Sequence, residues 1–232
     1  RETLKKLFPD NLTTAYNTLI LTGAIGIGKS FVGVIAMIYL LYRMLCLKDP
    51  YAYYGMQPID KISISMMNIT IENAKGVALD KMNQMILSSE WFLAHGEMCG
   101  TVNLEYRPQK HIELITASSN NQVIGRALFG NFTDEVNFGL TSDVEKLKKK
   151  QKTLISQVDA RMKSRFLRGT YLPTMNIIAS SKNSDQSFLE DFIQSKVQNE
   201  SKNTLIVDEP QWVVDSRKDT PEKFYVAVGN KF

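Results

Sequence analysis

Cysteine, histidine and tryptophan are scarce, with two of each in 232 residues. Cys46 and Cys99 lie far apart and outside any C-x-x-C pattern. That argues against a disulfide framework or a structural zinc site, and for a reducing compartment. His95 and His111 have no second histidine, cysteine or carboxylate at ligand spacing, so each reads as an ordinary surface or core residue. A strong excess of one charge is also missing. The 28 basic and 24 acidic residues leave +4, too little to announce a polyanion partner unless the charge is concentrated somewhere. The start of the chain (Arg1, Glu2, Lys5, Lys6) is charged and no apolar h-region follows it, so no signal peptide is expected. One long apolar run exists, Phe31 to Leu47, and Arg43 interrupts it. It is short for a bilayer span and reads as a buried helix, so no membrane partner is expected. No internal repeat or low-complexity segment is present.

What is present suffices for one large domain over residues 1–232, since 44% of the chain is hydrophobic. Strand and helix signals alternate, which predicts an α/β three-layer sandwich: a mainly parallel sheet with helices on both faces. Leu19 to Thr22 is the first strand, with a helix from Lys29 to about Leu47 behind it. Ile62 to Met66 is another, followed by a helix from Ile71 to Leu87 with Ile71, Ala74, Ala78, Leu79, Met82 and Ile86 on one side. Val102 to Tyr106 and Ile112 to Ile115 read as an antiparallel hairpin around Arg107-Pro108. Further strands are expected at Phe129 to Thr133, Met175 to Ala179, Leu205 to Val207 and Phe224 to Val228, the last ones antiparallel. Lys48 to Lys61, with Pro50, Gly55 and Pro58, reads as a variable loop. No closing helix follows Val228, so the chain is expected to be a piece of a longer protein.

The chemistry begins at Gly23-Ala24-Ile25-Gly26-Ile27-Gly28-Lys29-Ser30, a full match to G-x-x-x-x-G-K-[ST] between a strand and a helix. That context identifies a phosphate-binding loop, the mark of a P-loop NTPase fold. A tight glycine turn wraps backbone N–H groups around a polyphosphate, and the following helix aims its positive end at the same charge. Lys29 is expected to reach the β and γ phosphates of ATP and Ser30 to ligate Mg²⁺.

Two acidic pairs compete for the rest of the site: Asp134-Glu135 after Leu128 to Thr133, and Asp208-Glu209 after Leu205 to Val207. The second strand is more apolar, because Gly130 and Asn131 weaken the first. Order favours the first pair. In nucleotide hydrolases a further strand with a polar tip lies between the metal aspartate and the phosphate loop. Ile177-Ile178-Ala179-Ser180-Ser181 has that form and follows Asp134 but precedes Asp208. Asp134 is then expected beside the metal, and Glu135 as the carboxylate that orients or deprotonates an attacking water. Ser180 and Ser181 read either as sensors of the γ-phosphate or as a strand-ending turn.

This constellation resembles the ATPase domain of the large terminase subunit, the motor that packages double-stranded DNA into tailed-phage capsids. The loop at 23–30, its spacing to Thr133-Asp134-Glu135, the segment Ser118-Ser119 through Gly125-Arg126, Ala179-Ser180-Ser181, and the closing Trp212-Val213-Val214 with Phe224 to Gly229 all carry the resemblance. It implies Glu135 as the catalytic carboxylate and Ser180 and Ser181 as the residues coupling hydrolysis to movement. It implies Arg126 as an arginine finger toward a neighbouring subunit's γ-phosphate. Double-stranded DNA, a portal protein, a small terminase subunit and a ring of copies are the implied partners, in the host cytoplasm on the procapsid. The nuclease domain that follows in the family is not in this sequence. The family's glutamine-type adenine contact is not evident between Asp10 and Thr18.

Positive charge is concentrated after the acidic pair. Residues 145–168 hold nine basic and two acidic side chains, +7, which leaves −3 for the rest. Such a run tracks DNA phosphates, docks a neighbouring subunit, or simply solvates a helix. Other classes share the loop: a helicase or recombination ATPase, a nucleotide kinase, and a nucleotide-gated binding module.

Overall fold

Thr18–Gly23 (β1) is buried at every position, as a strand must be when helices cover both sides of its sheet. The same holds for Ile62–Met67 (β2). The computed structural model describes residues 2–9, 16–57, 59–101, 104–123, 125–138, 143–182 and 187–214. The expected strand Phe224 to Val228, the segment 10–15 and residues 102–103 lie outside them. Helix α1 (Glu2–Leu7) precedes β1 and α2 (Lys29–Cys46) follows it; α3 (Pro50–Tyr54) leads into β2. Ile71–Asn73 (α4), a π-helical stretch Ala74–Leu79, and Asp80–Leu87 (α5) form one continuous helical run, and Glu90–Leu93 (α6) comes next. The remaining strands are β3 (Gly96–Cys99), β4 (Glu105–Pro108), β5 (Ile112–Ala117), β6 (Ala127–Thr133), β7 (Met175–Ala179) and β8 (Thr204–Glu209). Helices α7 (Val144–Phe166) and α8 (Phe188–Gln198) flank β7 in sequence, and α9 (Gln211–Val214) follows β8.

Six strands form one sheet in the order β5-β2-β6-β7-β1-β8, with every neighbouring pair parallel. Successive side chains leave a strand on opposite faces. Leu19, Leu21, Met66, Phe129 and Ile177 therefore meet α2 and α5. Ile20 and Ile178 instead meet Ile155 of α7 with Phe188 and Leu189 of α8. Met67 and Leu128 meet Leu154, Val158 and Met162 of α7. These are the three layers that the alternating signals predict. The apolar run of α2 is a core helix, with Val34, Met37, Leu40 and Leu41 fully buried; each such side chain is worth about 1.5–3 kcal/mol of transfer free energy.

Four local expectations need correction. Ile112–Ala117 does not close a hairpin with Glu105–Pro108. It pairs in parallel with β2 over six residues, whereas β4 pairs antiparallel with β3 in a separate two-stranded sheet. Alternation is identical for either partner; the turn decides. Lys110 and His111 both take left-handed backbone conformations, φ 62° and 56°, and Lys110 donates to the Leu45 and Leu47 carbonyls at the end of α2, which sends β5 back to the large sheet. The C-terminal strand β8 likewise runs parallel to β1, not antiparallel. Within the expected loop 48–61, Asp49 caps α3 through the Ala52 amide, Pro50 opens the helix, and Gly55 ends it at φ 65°. Finally, Ile71 is 39% exposed, not on the buried side. The π-helical stretch widens the turn and rotates the face between Ile71 and Met82.

Gly130, read from sequence as a weakness in β6, has a packing reason. A Cβ there would lie 3.0 Å from Met37 Sδ and 3.1 Å from Leu40 Cδ1 of α2. Asn131 is buried in a polar network, accepting from Ser65 Oγ at 2.6 Å and donating to Thr133 Oγ1 and Asn176 Oδ1, both at 2.9 Å.

Candidate nucleotide site

β1 delivers its chain to a turn that only glycine fits at its first position. Gly23 has φ 108°, and a Cβ on it would fall 2.5 Å from the Glu209 carbonyl oxygen. Gly28, left-handed at φ 83°, is the N-cap of α2 and supplies no capping side chain. No acidic side chain sits in the first turn either. The positive end of an 18-residue helix is thus left to whatever anion enters the loop.

Because the sheet is parallel, all its C-terminal strand ends share one edge, and the strand order sets what meets there. β7 lies between β1 and β6. Lys29 Nζ donates to Ala24 O at 2.6 Å, Gly23 O at 3.4 Å and Ser181 Oγ at 3.1 Å, the last across 152 residues. Ser30 Oγ donates to Asp134 Oδ2 at 2.7 Å across 104 residues. Glu135 follows at the same edge, with Ser180 Oγ 3.5 Å from its Oε2. The edge thereby joins Gly23 to Ser30, Asp134, Glu135, Ser180 and Ser181.

Electrostatics at this edge are those of charges held away from water. Burial raises the pKa of Asp134, opposed by its hydrogen bonds from Ser30 Oγ and the Glu135 amide and by the Lys29 charge. Glu135 is raised by burial and by the neighbouring Asp134 carboxylate, again opposed by Lys29. Burial lowers the pKa of Lys29, while Glu135 and Asp134 favour its charged form. Glu135 also holds φ 56°, a conformation that costs a non-glycine residue about 1–3 kcal/mol and tends to persist where a side chain must be aimed.

The second acidic pair ends at the same edge, beside Gly23, but on the opposite flank of the loop from Ser30's partner Asp134. Asp208 and Glu209 end β8, on the far side of β1 from β6. Asp208 Oδ2 accepts from Lys182 Nζ at 2.6 Å. Arg126 is not brought to the edge. It precedes β6, whose seven residues separate it from Asp134 by about 26 Å at roughly 3.3 Å per residue step. Its guanidinium pairs with Glu113, and its Nε donates to Gln122 O at 3.1 Å.

Three contributors escape a reading of the sequence. Asn137 amide N donates to Ser180 Oγ at 3.1 Å, its Nδ2 donates to Ser181 O at 3.0 Å, and its Oδ1 accepts from the Leu189 amide at 3.0 Å. It ties the end of β7 to the start of α8. Gln211 Nε2 reaches the phosphate loop at Ile25 O, 3.2 Å. Gln122 Oε1 holds the amides of Ser118 and Ser119 at 2.7 and 3.1 Å. Gln122 lies inside the segment 118–126, which does not by itself mark it out, and only the position two residues after Glu135 could have drawn attention to Asn137.

Comparison with known proteins bears on the fold that carries this site. The family profile described as "Uncharacterized protein MJ0330, N-terminal P-loop domain" matches residues 3–124, just over half the chain. No curated protein matches. The large terminase from a thermophilic bacteriophage superposes with a TM-score of 0.55 and 15% identity, over 90% of this chain and 45% of its own. The HK97 bacteriophage large terminase does so with a TM-score of 0.51 and 13% identity, over 82% of this chain and 35% of its own. At such identities the likeness is one of fold. The chain spans less than half the length of either.

Proposed function

We propose that this chain, which belongs to the MJ0330 N-terminal P-loop domain family, hydrolyses ATP to ADP and phosphate and uses the cycle to move double-stranded DNA. One observation carries the hydrolytic half: at one strand edge Lys29 meets Ser181 and Ser30 meets Asp134 through hydrogen bonds that span more than a hundred residues, with Glu135 next to Asp134 and on Ser180. Lys29 now bends onto its own loop carbonyls. An entering triphosphate offers better acceptors, so Lys29 exchanges those carbonyls for β and γ phosphate oxygens. Ser30 Oγ and Asp134 Oδ2, hard oxygen donors already 2.7 Å apart, fit Mg²⁺ and would hold it. Its charge would offset that of the phosphates.

Glu135 then accepts a proton from water as the water oxygen bonds to the γ phosphorus and the bond from that phosphorus to the β–γ bridging oxygen breaks. The raised pKa makes the Glu135 carboxylate a stronger acceptor for that proton. In this reading Ser181, bonded to Lys29, and Ser180, near Glu135, report γ-phosphate loss along β7, and Asn137 extends that report to α8.

Support for the DNA half is the fold shared with two phage large terminases and the basic segment 145–168. In this reading residues 1–232 are one motor domain. It acts as a ring with a portal and a small terminase subunit on a procapsid in the host cell, and Arg126 serves a neighbouring copy. Incubation with labelled ATP tests the chemistry. The wild type yields ADP and free phosphate, and Glu135→Gln still binds ATP but turns over at least about 100-fold more slowly. Transfer of label to a small acceptor would make the chain a kinase, and undiminished turnover in Glu135→Gln would reject the assigned base.

A further inference from the structure

Helix α7 presents two working faces. One face, through Lys146, Leu147, Lys150, Gln151 and Leu154, walls a cavity of 280 Å³ that also contains Asp134 and Glu135. The other lines an open groove of 710 Å³ against α8. At 100° per residue, Lys149, Lys152 and Lys163 fall within an arc of about 60° on this second face and extend over about 21 Å. Ser156 of the same stripe adds a hydroxyl to the groove, and Ser195 of α8 lines it with its Oγ donating to the Phe192 carbonyl at 2.7 Å.

Three carboxylates line the groove, two of them sharing one ammonium, and the third, Asp159, lies in the field of Lys196 and Lys163. Asp191 pairs with Lys148 at 2.8 Å, Glu145 lies 3.8 Å from the same ammonium, and Asp159 accepts from Asn176 Nδ2 at 2.8 Å. Among the described residues, Lys149, Lys152 and Lys163 are exposed and make no ion pair within 4.0 Å; Lys163 alone of the three feels the charge of Asp159. The groove floor offers no slot for a base. Phe188 is buried, Phe192 stacks on it at 5.7 Å, and Lys196 covers Phe192 at 5.1 Å. A row of exposed cations with hydroxyls and no accessible ring complements a phosphate backbone, not bases. Its length faces about six phosphates of one strand at roughly 3.4 Å each.

We propose that Lys149, Lys152 and Lys163 grip the backbone of duplex DNA in the α7–α8 groove, and that α7 carries the state of the Glu135 side of the nucleotide site to that grip. The proposal rests on the DNA-translocase reading above. A helix of 23 residues is about 34 Å long and moves as a unit, so a shift of its N-terminal third against Asp134 and Glu135 moves the cation row as well.

The test is equilibrium binding of a random ~30-base-pair duplex across about 50–200 mM salt. It compares the wild-type chain with Lys149→Ala/Lys152→Ala/Lys163→Ala. Alanine keeps the helix, and Lys146 and Lys150, which line the Glu135 cavity, are left intact. Basal ATP turnover should be unchanged, while the log–log salt slope becomes shallower by about 2.7. The exposed control Lys5→Ala/Lys6→Ala/Lys202→Ala should keep the wild-type slope. An unchanged slope in the α7 variant, or an equal loss in the control, overturns the grip alone. A wild type that hydrolyses ATP but binds no duplex at low salt overturns the translocase reading together with the grip. Binding of poly-glutamate in place of DNA would give the groove to an acidic protein and overturn the proposal.

Discussion

Burial raises the pKa of both Asp134 and Glu135, so at neutral pH the fold bears the cost of keeping two adjacent carboxylates ionised. The unfolded chain holds those protons only below about 3.8 and 4.5; the folded chain holds them to higher pH. Their destabilisation is therefore full above the raised folded values and fades as pH falls through them. Asp134→Asn should remove one such charge, keep an acceptor for Ser30, and raise the Tm of the nucleotide-free protein while Mg²⁺-dependent turnover disappears. A lower Tm would mean that the carboxylate stabilises the edge. The same shift sets the activity profile. If Glu135 acts as the base, the acidic limb of kcat/KM, which reports the nucleotide-free enzyme, lies above 4.5, and kcat/KM is lost as pH drops through it. A limb at or below that value would exclude Glu135 from that step.

Among the helices and strands, α2 is positioned by what its glycine lacks. A Cβ on Gly33 would lie 2.6–2.9 Å from the ring of Phe132 on β6. Alanine would gain about 1 kcal/mol of helix propensity, but forcing the buried ring or the helix aside costs about 1–3 kcal/mol. Gly33→Ala is therefore expected to lower stability on balance. Because Ser30 lies one turn earlier on α2, the same change should raise KM for ATP. Urea unfolding and steady-state kinetics read the two effects; a more stable variant with unchanged KM would show that α2 can slide without cost. Helix α2 and strands β1, β2, β6 and β7 are legible in the sequence because each carries its own periodicity or unbroken burial. The partner of β5 is not, since alternation says that a strand has two faces but not which strand lies beside it.

Across the molecule, the sheet separates two ends. The nucleotide edge gathers the C-terminal strand ends; Arg126 and its partner Glu113 lie toward the other. Arg126→Ala should leave the basal turnover of a lone chain within about twofold, and change stability by no more than about 1 kcal/mol, as a half-exposed ion pair implies. Only in assembled rings should turnover fall. Loss of activity in dilute, monomeric protein would put Arg126 in its own chain's site, against the distance along β6. A ring with undiminished activity would leave it as a structural ion pair.

The phosphate loop is written locally: within eight contiguous residues Gly23, Gly26 and Gly28 hold the positive φ that favours glycine, with a lysine and a serine at fixed distance from them. The layered α/β class is local too, since buried strands and amphipathic or apolar helices show in the periodicity of neighbouring residues. Which acidic pair faces Ser30, which strand accompanies β5, and how Asn131 and Gly130 serve β6 instead of weakening it were settled by packing. Those choices depend on strand order and on contacts across a hundred residues or more, where many arrangements bury the same surface and the seating of α2 and α7 against the sheet selects one.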